Sequence, residues 1–316
     1  MSDQWVSQEV SLKFMVSDFT LYTKKLQLKV RQFETINPAA SIIEQWIPPT
    51  NLNENEKGYL LRSLPLAEKQ PRLKIENGYI YYIPAQFNRY YIDLQQTFDE
   101  YQHTFSSKTR STIKRKIKKF NSFCNQSMYC KTYRNKEELQ EFYWLARGIS
   151  SKSYQEKLLD AGLPDTVEFT QEMLEKAQND NIRAYLLFND NIPVAYMYCP
   201  VQDNVLLYQY LGYDPDYMKW SVGTILHWFV FEDLFKEAKF SYFDFTEGQS
   251  EHKRLYSTAS ILCGNIFIIQ NSFKMRLWVR SHLKLEAVSD SLGKLLEHWG
   301  LKAKIKKLIR FKFSRA

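Results

Sequence analysis

Between residues 182 and 245 the spacing of apolar residues changes period twice, and few folds accept the order that results. Residues 182–188 and 192–199 are runs of Ile, Leu, Val, Tyr and Phe separated by Asn189-Asp-Asn191, whose residues tolerate positive φ. They predict a β-hairpin. Residues 205–213 predict a third strand. Ile225, Leu226, Phe229, Val230 and Leu234 then share one helical face, entered through Ser221 as N-cap, and residues 240–245 return to a strand. Three strands, a helix and a further strand predict an α/β (α+β) fold, a mixed and mostly antiparallel sheet flanked by helices.

The last of these strands ends in a polar turn. Asp244, Glu247, Gly248, His252, Lys253, Arg254 and Tyr256 crowd its carboxyl side, where open sheets bind ligands. Upstream, residues 59–64, 78–85 and 89–94 read as strands, with helices before and between them. Thr97 caps a short helix with acids in its first turn, where they suit the helix dipole. Residues 108–120 carry seven Lys or Arg and no acid, with Ile113, Ile117 and Phe120 spaced as one apolar stripe, so a basic amphipathic helix is expected. Further helices are expected over 137–146, 150–159 and 167–179.

The chain has 316 residues, 44% hydrophobic and 25% charged, enough for about two domains and a sizeable core. The net charge of +8 is unevenly placed: from Lys274 onward twelve Lys or Arg face three acids, while the rest has 31 basic against 32 acidic residues. The body is neutral and the tail basic, so charge alone does not predict a nucleic-acid partner. No apolar run approaches the ~18 residues of a spanning helix, and the first residues lack the pattern of a leader, which makes the expected location cytoplasmic. Cys124, Cys130, Cys199 and Cys263 form no Cys-x-x-Cys pair, and the five histidines have no zinc spacing, so reduced thiols and no metal are expected. No Gly-x-Ser-x-Gly elbow or Walker loop is present. Asp214-Pro-Asp216 matches a three-residue metal motif but reads better as a turn.

Four blocks, in this order and spacing, carry a resemblance. They are Tyr91-Ile-Asp-Leu94 with residues 98–101 and 107–116; residues 149–155; Gly212-Tyr-Asp-Pro-Asp-Tyr217 with Ser221-Val-Gly223; and Phe243-Asp-Phe-Thr-Glu-Gly248 with His252-Lys-Arg254. Over roughly residues 85–260 the chain resembles the GNAT superfamily of N-acetyltransferases, specifically the CelD-like acyltransferases linked to cellulose biosynthesis and related to Fem aminoacyl ligases. The resemblance implies tandem GNAT-like halves: a degenerate half over 1–104, a helical connection and active half over 105–265, and a basic amphipathic helical tail over 266–316. It implies an acyltransferase that moves an acyl group from acyl-CoA to an amine of a sugar or cell-envelope polysaccharide precursor.

By the same resemblance, Ser221, Gly223 and Thr224 would hold the coenzyme A pyrophosphate at a helix N-terminus, and backbone amides of Leu207 to Gly212 would polarise the acyl carbonyl, with Leu211 and Gly212 counted among the cofactor-binding residues. Trp220 stands where the superfamily has Arg or Gln, Ile225 where it has a second small residue, and Val222 where CelD-like proteins have Pro. Acyl transfer needs a base, an oxyanion donor and an acid for the leaving sulfur. Asp244 and Glu247 are candidate bases or anchors, Tyr256 a candidate acid, and Lys253 a candidate contact to a phosphate or carboxylate. Asp244 reads equally as a cap of the following turn. Arg110, Arg115, Lys152 and Arg254 are candidate substrate contacts, the arginines because their planar fork suits phosphate and carboxylate.

Two other readings stay open: an aminoacyl-tRNA-dependent transferase of Fem type, and a non-catalytic binding protein with the same fold. Leu301, Ile305, Leu308 and Ile309 share a face amid cations, so residues 301–316 either dock peripherally at the inner membrane surface or pack on the body.

Overall fold

The computed structural model describes residues 5–16, 19–36, 51–153, 156 and 162–298. They group into two compact units: residues 5–34, 51–87 and 262–298 form one, and residues 35–36 and 88–261 form the other.

The first unit starts with β1 (Val6–Val16) and β2 (Phe19–Gln32), an antiparallel pair followed by β3 (Gly58–Pro65), which runs parallel to β2. The sequence predicted helices before residue 59, and strands stand there instead. The reason is a period of two: Val10, Leu12 and Phe14 are buried, as are Leu26, Leu28 and Val30, while the intervening Ser11, Lys13, Gln27 and Lys29 are not. β4 (Leu73–Glu76) and β5 (Tyr79–Tyr82) form a hairpin through Asn77 and Gly78, both at positive φ, the two-residue turn that matches strand twist.

The chain next enters the second unit through β6 (Gln86–Asp93), α1 (Phe98–His103) and α2 (Ser107–Asn121). Thr97 caps α1 with a full capping box, as its sequence predicts, and Ile113 and Phe120 are the buried stripe of α2. β7 (Met128–Tyr133), α3 (Lys136–Ser150) and α4 (Val167–Gln178) lead to the predicted hairpin of β8 (Ile182–Asn189) and β9 (Ile192–Gln202), with Asp190 at positive φ in its turn. β10 (Val205–Leu207), β11 (Tyr210–Tyr213), α5 (Val222–Glu237), β12 (Tyr242–Asp244) and α6 (Glu251–Tyr256) complete it.

Within this unit the strands lie in the order β6-β12-β10-β9-β8-β7, with β11 also on β9. Every neighbouring pair is antiparallel except β10 with β12. A core covers each face of this sheet. Tyr185 and Leu187 of β8 and Met197 and Cys199 of β9 pack with the helical residues of α1, α2 and α5. Ala184, Leu186, Tyr196 and Tyr198 point the other way, to α3 and α4. Burial on both faces is why β8 and β9 read as continuous apolar runs rather than alternating ones.

The chain then returns to the first unit with β13 (Ala259–Gln270), antiparallel to β3 and β5, and ends its described part in α7 (Phe273–His298). Among the described residues no helix is long and apolar enough to cross a membrane. The expected helix over 150–159 and the segment 301–316 lie largely or wholly outside the described residues.

Candidate active site

The strand expected over 205–213 is two strands. At Leu207 the chain still pairs with β12, and the Tyr208 N–H donates to the Asp244 carbonyl (2.9 Å). One residue later Gln209 N–H donates to the Tyr198 carbonyl on β9 (3.3 Å), and from there β11 has, among the described residues, only β9 as a partner. β12 stops at Asp244, so a gap opens beside β11. Asp214 N–H donates to Val194 on the far side of this ladder. By the alternation of an antiparallel pair, Leu211 and Tyr213 turn their N–H and C=O groups toward the gap.

Helix α5 begins at that gap. Its first ten residues are apolar but for Thr224 and His227, and nine of its side chains are buried, so the core fixes its axis. Ser221 stands at the N-cap as expected, but in a left-handed conformation (φ 59°) and with no side-chain cap bond. Its carbonyl accepts from Thr224 and Ile225 N–H, while a left-handed Ser221 turns its side chain away from the first-turn amides. The Gly223 amide, which lies ahead of those two, and the positive end of the helix dipole therefore remain a site for an anion. Gly223 leaves that mouth open: a Cβ there would approach nothing closer than Tyr213 at 3.8 Å, so packing alone does not demand glycine.

Together α2, β11, the first turns of α5 and α6 line a cavity of about 550 Å³. Lys108 and Lys116 of α2 line it, and Lys116 Nζ donates to Thr224 Oγ1 (3.4 Å), which sets a cation against the helix mouth. Deeper along the wall stand His227 and Tyr256, both nearly inaccessible to solvent. Their rings stack at 5.2 Å and 15°. Burial pushes the Tyr256 phenol up to about 12, opposed by a hydrogen bond with Thr224, so it is protonated at neutral pH.

The acidic turn after β12 is built differently. Asp244 is fully buried and takes Arg89 in a two-point ion pair, Nε to Oδ2 at 2.9 Å and Nη2 to Oδ2 at 2.6 Å, with Nε also 3.1 Å from Oδ1. Burial pushes the Asp244 carboxyl up, and the Arg89 guanidinium is the main opposing influence. Oδ1 also accepts from Thr246 N–H (2.8 Å), so Asp244 caps the turn as one reading of the sequence had it. Lys253 Nζ donates to the carbonyls of Phe245 and Glu247, both at 2.6 Å. It closes a turn in which Thr246 and Gly248 adopt φ of 58° and 94°. Burial lowers the Lys253 amine to about 8, partly offset by Asp244.

Of the residues singled out in the sequence, the cavity gathers Leu211, Gly223, Thr224 and Tyr256. Gly212 instead packs under the Tyr196 ring, where a Cβ would meet a ring carbon at 2.4 Å. Glu247 is exposed and is not among the lining residues, and Lys253 aims its amine at the turn. Arg110 donates to the Gln102 carbonyl (3.3 Å), Arg115 is exposed, and Arg254 is 69% exposed beside Glu251. Lys152 pairs with Asp214 (3.0 Å), and Asp214 accepts from Asp216 N–H in a turn, as expected of that tripeptide. Lys108, Lys116 and His227 were missed as site residues. The signal for His227 was available: it is the one ionisable residue in the first ten positions of an apolar helix, four residues after the glycine.

Residues 107–254 match the acetyltransferase (GNAT) domain family. The chain therefore carries a GNAT-type acetyltransferase domain, and its enzyme class is transferase. No curated protein sequence matches the chain. Among solved structures it is similar to L-PGS from Bacillus licheniformis (14% identity, 65% of this chain and 67% of that one, TM-score 0.43). It is also similar to FemX (10%, 87% and 90%, TM-score 0.46) and to PaiA N-acetyltransferase from Thermoplasma acidophilum in complex with coenzyme A (12%, 45% and 99%, TM-score 0.27).

Proposed function

We propose that this acetyltransferase (GNAT) domain transfers an acyl group from acyl-CoA to an amine, and that the cavity between α2, β11, α5 and α6 holds the donor. The observation that carries the reading is one continuous cavity lined by an anion-binding helix mouth, two lysines and an unpaired strand edge. The diphosphate of coenzyme A suits the Gly223 amide and the Thr224 hydroxyl with Lys108 and Lys116. The pantetheine arm suits the open edge of β11, whose Leu211 and Tyr213 groups act as the missing neighbouring strand.

In the reaction the amine lone pair forms the new C–N bond, the C–S bond breaks, and its electron pair goes to sulfur. A backbone N–H of β11 stabilises the intermediate oxyanion. Tyr256 relays the proton, giving its own to the sulfur as it takes one from the nitrogen; a phenol held near 12 is protonated and able to do so. Asp244 serves this chemistry indirectly, by fixing the turn after β12 through Arg89.

The CelD-like motifs support an amine on a sugar or cell-envelope polysaccharide precursor as acceptor. Calorimetry with acetyl-CoA, followed by thiol release in the presence of amino sugars, tests both parts. Absence of heat with acetyl-CoA and longer acyl-CoAs rejects the donor. One feature favours aminoacyl-tRNA as donor instead: Lys114, Arg115, Lys118 and Lys119 form an exposed cationic face on α2. Transfer RNA binding that falls steeply with salt, without acyl-CoA binding, would move the assignment there. Residues 301–316 are proposed to dock on anionic membrane, and equal liposome co-sedimentation after their deletion rejects that.

A further inference from the structure

Five buried side-chain polar atoms lack a hydrogen-bond partner among the described residues, and His227 Nε2 is the one among them whose residue lines the cavity. Buried acceptors without partners are rare, because each forfeits its hydration with no return. The tautomer follows from the other side of the ring. Nδ1 lies 2.6 Å from the Gly223 carbonyl, which can only accept, so Nδ1 carries the proton and Nε2 presents a lone pair. Burial lowers the His227 pKa to about 4, which keeps Nε2 unprotonated at neutral pH. Aromatic rings surround the imidazole, His252 at 5.8 Å among them. Tyr256 stacks on it, Tyr208 lies 5.5 Å away and Phe231 5.7 Å away, and Nδ1 is tied to the preceding turn.

An acceptor-only atom calls for a ligand group that donates. The position narrows which one. His227 sits one turn beyond Gly223, roughly 6 Å along the axis from the amide that suits a phosphate. In coenzyme A, the first donors along the arm after the phosphate are the pantoyl hydroxyl and the neighbouring amide N–H. Resting on the acyl-CoA reading above, we propose that His227 is a positioning residue that accepts a hydrogen bond from this part of the pantetheine arm and sets how deep the arm runs. It makes the cavity select phosphopantetheine from nucleotides that share its phosphates.

Two measurements test this on the whole chain. In the first, calorimetry compares coenzyme A with adenosine 3′,5′-bisphosphate, which has phosphates and adenosine but no arm. His227→Leu should weaken coenzyme A about five- to thirtyfold, the loss of one buried hydrogen bond. It should leave the bisphosphate unchanged, and His227→Gln, which keeps an acceptor, should recover part of the loss. Equal affinities of the wild type and His227→Leu for coenzyme A would overturn the proposal while leaving the donor reading intact, as would an equal loss for both ligands. A wild type that binds neither would overturn both.

The second measurement needs no variant. The ¹⁵N resonance of His227 Nε2 should move from the free acceptor position toward the hydrogen-bonded one as coenzyme A saturates the protein, and not with the bisphosphate. A resonance that stays in place with coenzyme A overturns the proposal.

Discussion

The turn at residues 244–248 and the cavity wall at residues 223–227 both bury groups that ionise, and they treat them in opposite ways. In the turn, Asp244 meets Arg89 and Thr246, and Lys253 meets two carbonyls. In the wall, His227 is held firmly by one nitrogen and left unanswered at the other. Polar density in the sequence pointed to the turn, and the unanswered atom points to the wall. A cluster of charges whose members satisfy one another is a structural joint, whereas a buried group with spare capacity is a place for something to arrive.

Substitutions can break the comparison. The largest effect belongs to the joint: Asp244→Ala removes one half of the buried Arg89–Asp244 ion pair and should cost about 3–5 kcal/mol in urea unfolding. If the loss is below 1 kcal/mol, the turn is not the joint described. Acid tests the wall. His227 is held at about 4 against an ordinary 6.5, so between those values the unfolded chain binds more protons than the folded one. Stability should therefore fall as pH drops from 6.5 toward 4, by about 3 kcal/mol from this residue. Unfolding of His227→Leu should lack that component; an identical pH slope in both proteins would contradict the buried neutral ring.

Lys253→Met removes both donations to the turn and should cost about 2 kcal/mol. It should speed amide exchange over residues 245–248, and unchanged exchange there would separate Lys253 from the turn. The smallest stability change should come from Lys108→Ala with Lys116→Ala. Exposed or half-exposed lysines contribute within about 0.5 kcal/mol, yet coenzyme A should bind severalfold more weakly and with less dependence on salt. Full affinity in the double variant would take the diphosphate away from the helix mouth.

Legibility followed the range over which each signal acts. Thr97 and Glu100 form a capping box three residues apart, and the β8–β9 turn sits on Asp190, so both could be read locally. The β1–β2 pair was equally local but its apolar positions alternate with Lys, Gln and Ser, which hid the strands from a search for continuous apolar runs. The division of β10 from β11 could not be read locally. It is imposed by β12, whose pairing ends at Asp244, more than thirty residues downstream. The cavity drew on four separate stretches, 108–116, 211–213, 223–227 and 252–256, and only the fold makes neighbours of them. His227 was visible as a residue but not as a vacancy, because a sequence records which groups are present and not which remain unmet.

The burial of nine side chains along α5 has one more consequence. A helix whose buried residues run from Val222 to Phe235 is held by the core against recoil or reorientation when an anion reaches its first turn, so the helix mouth is aimed before the encounter. The ordering entropy of that grip was settled when the chain folded. Affinity at the mouth should accordingly answer to how well the guest fits, and hardly at all to how far the host must rearrange.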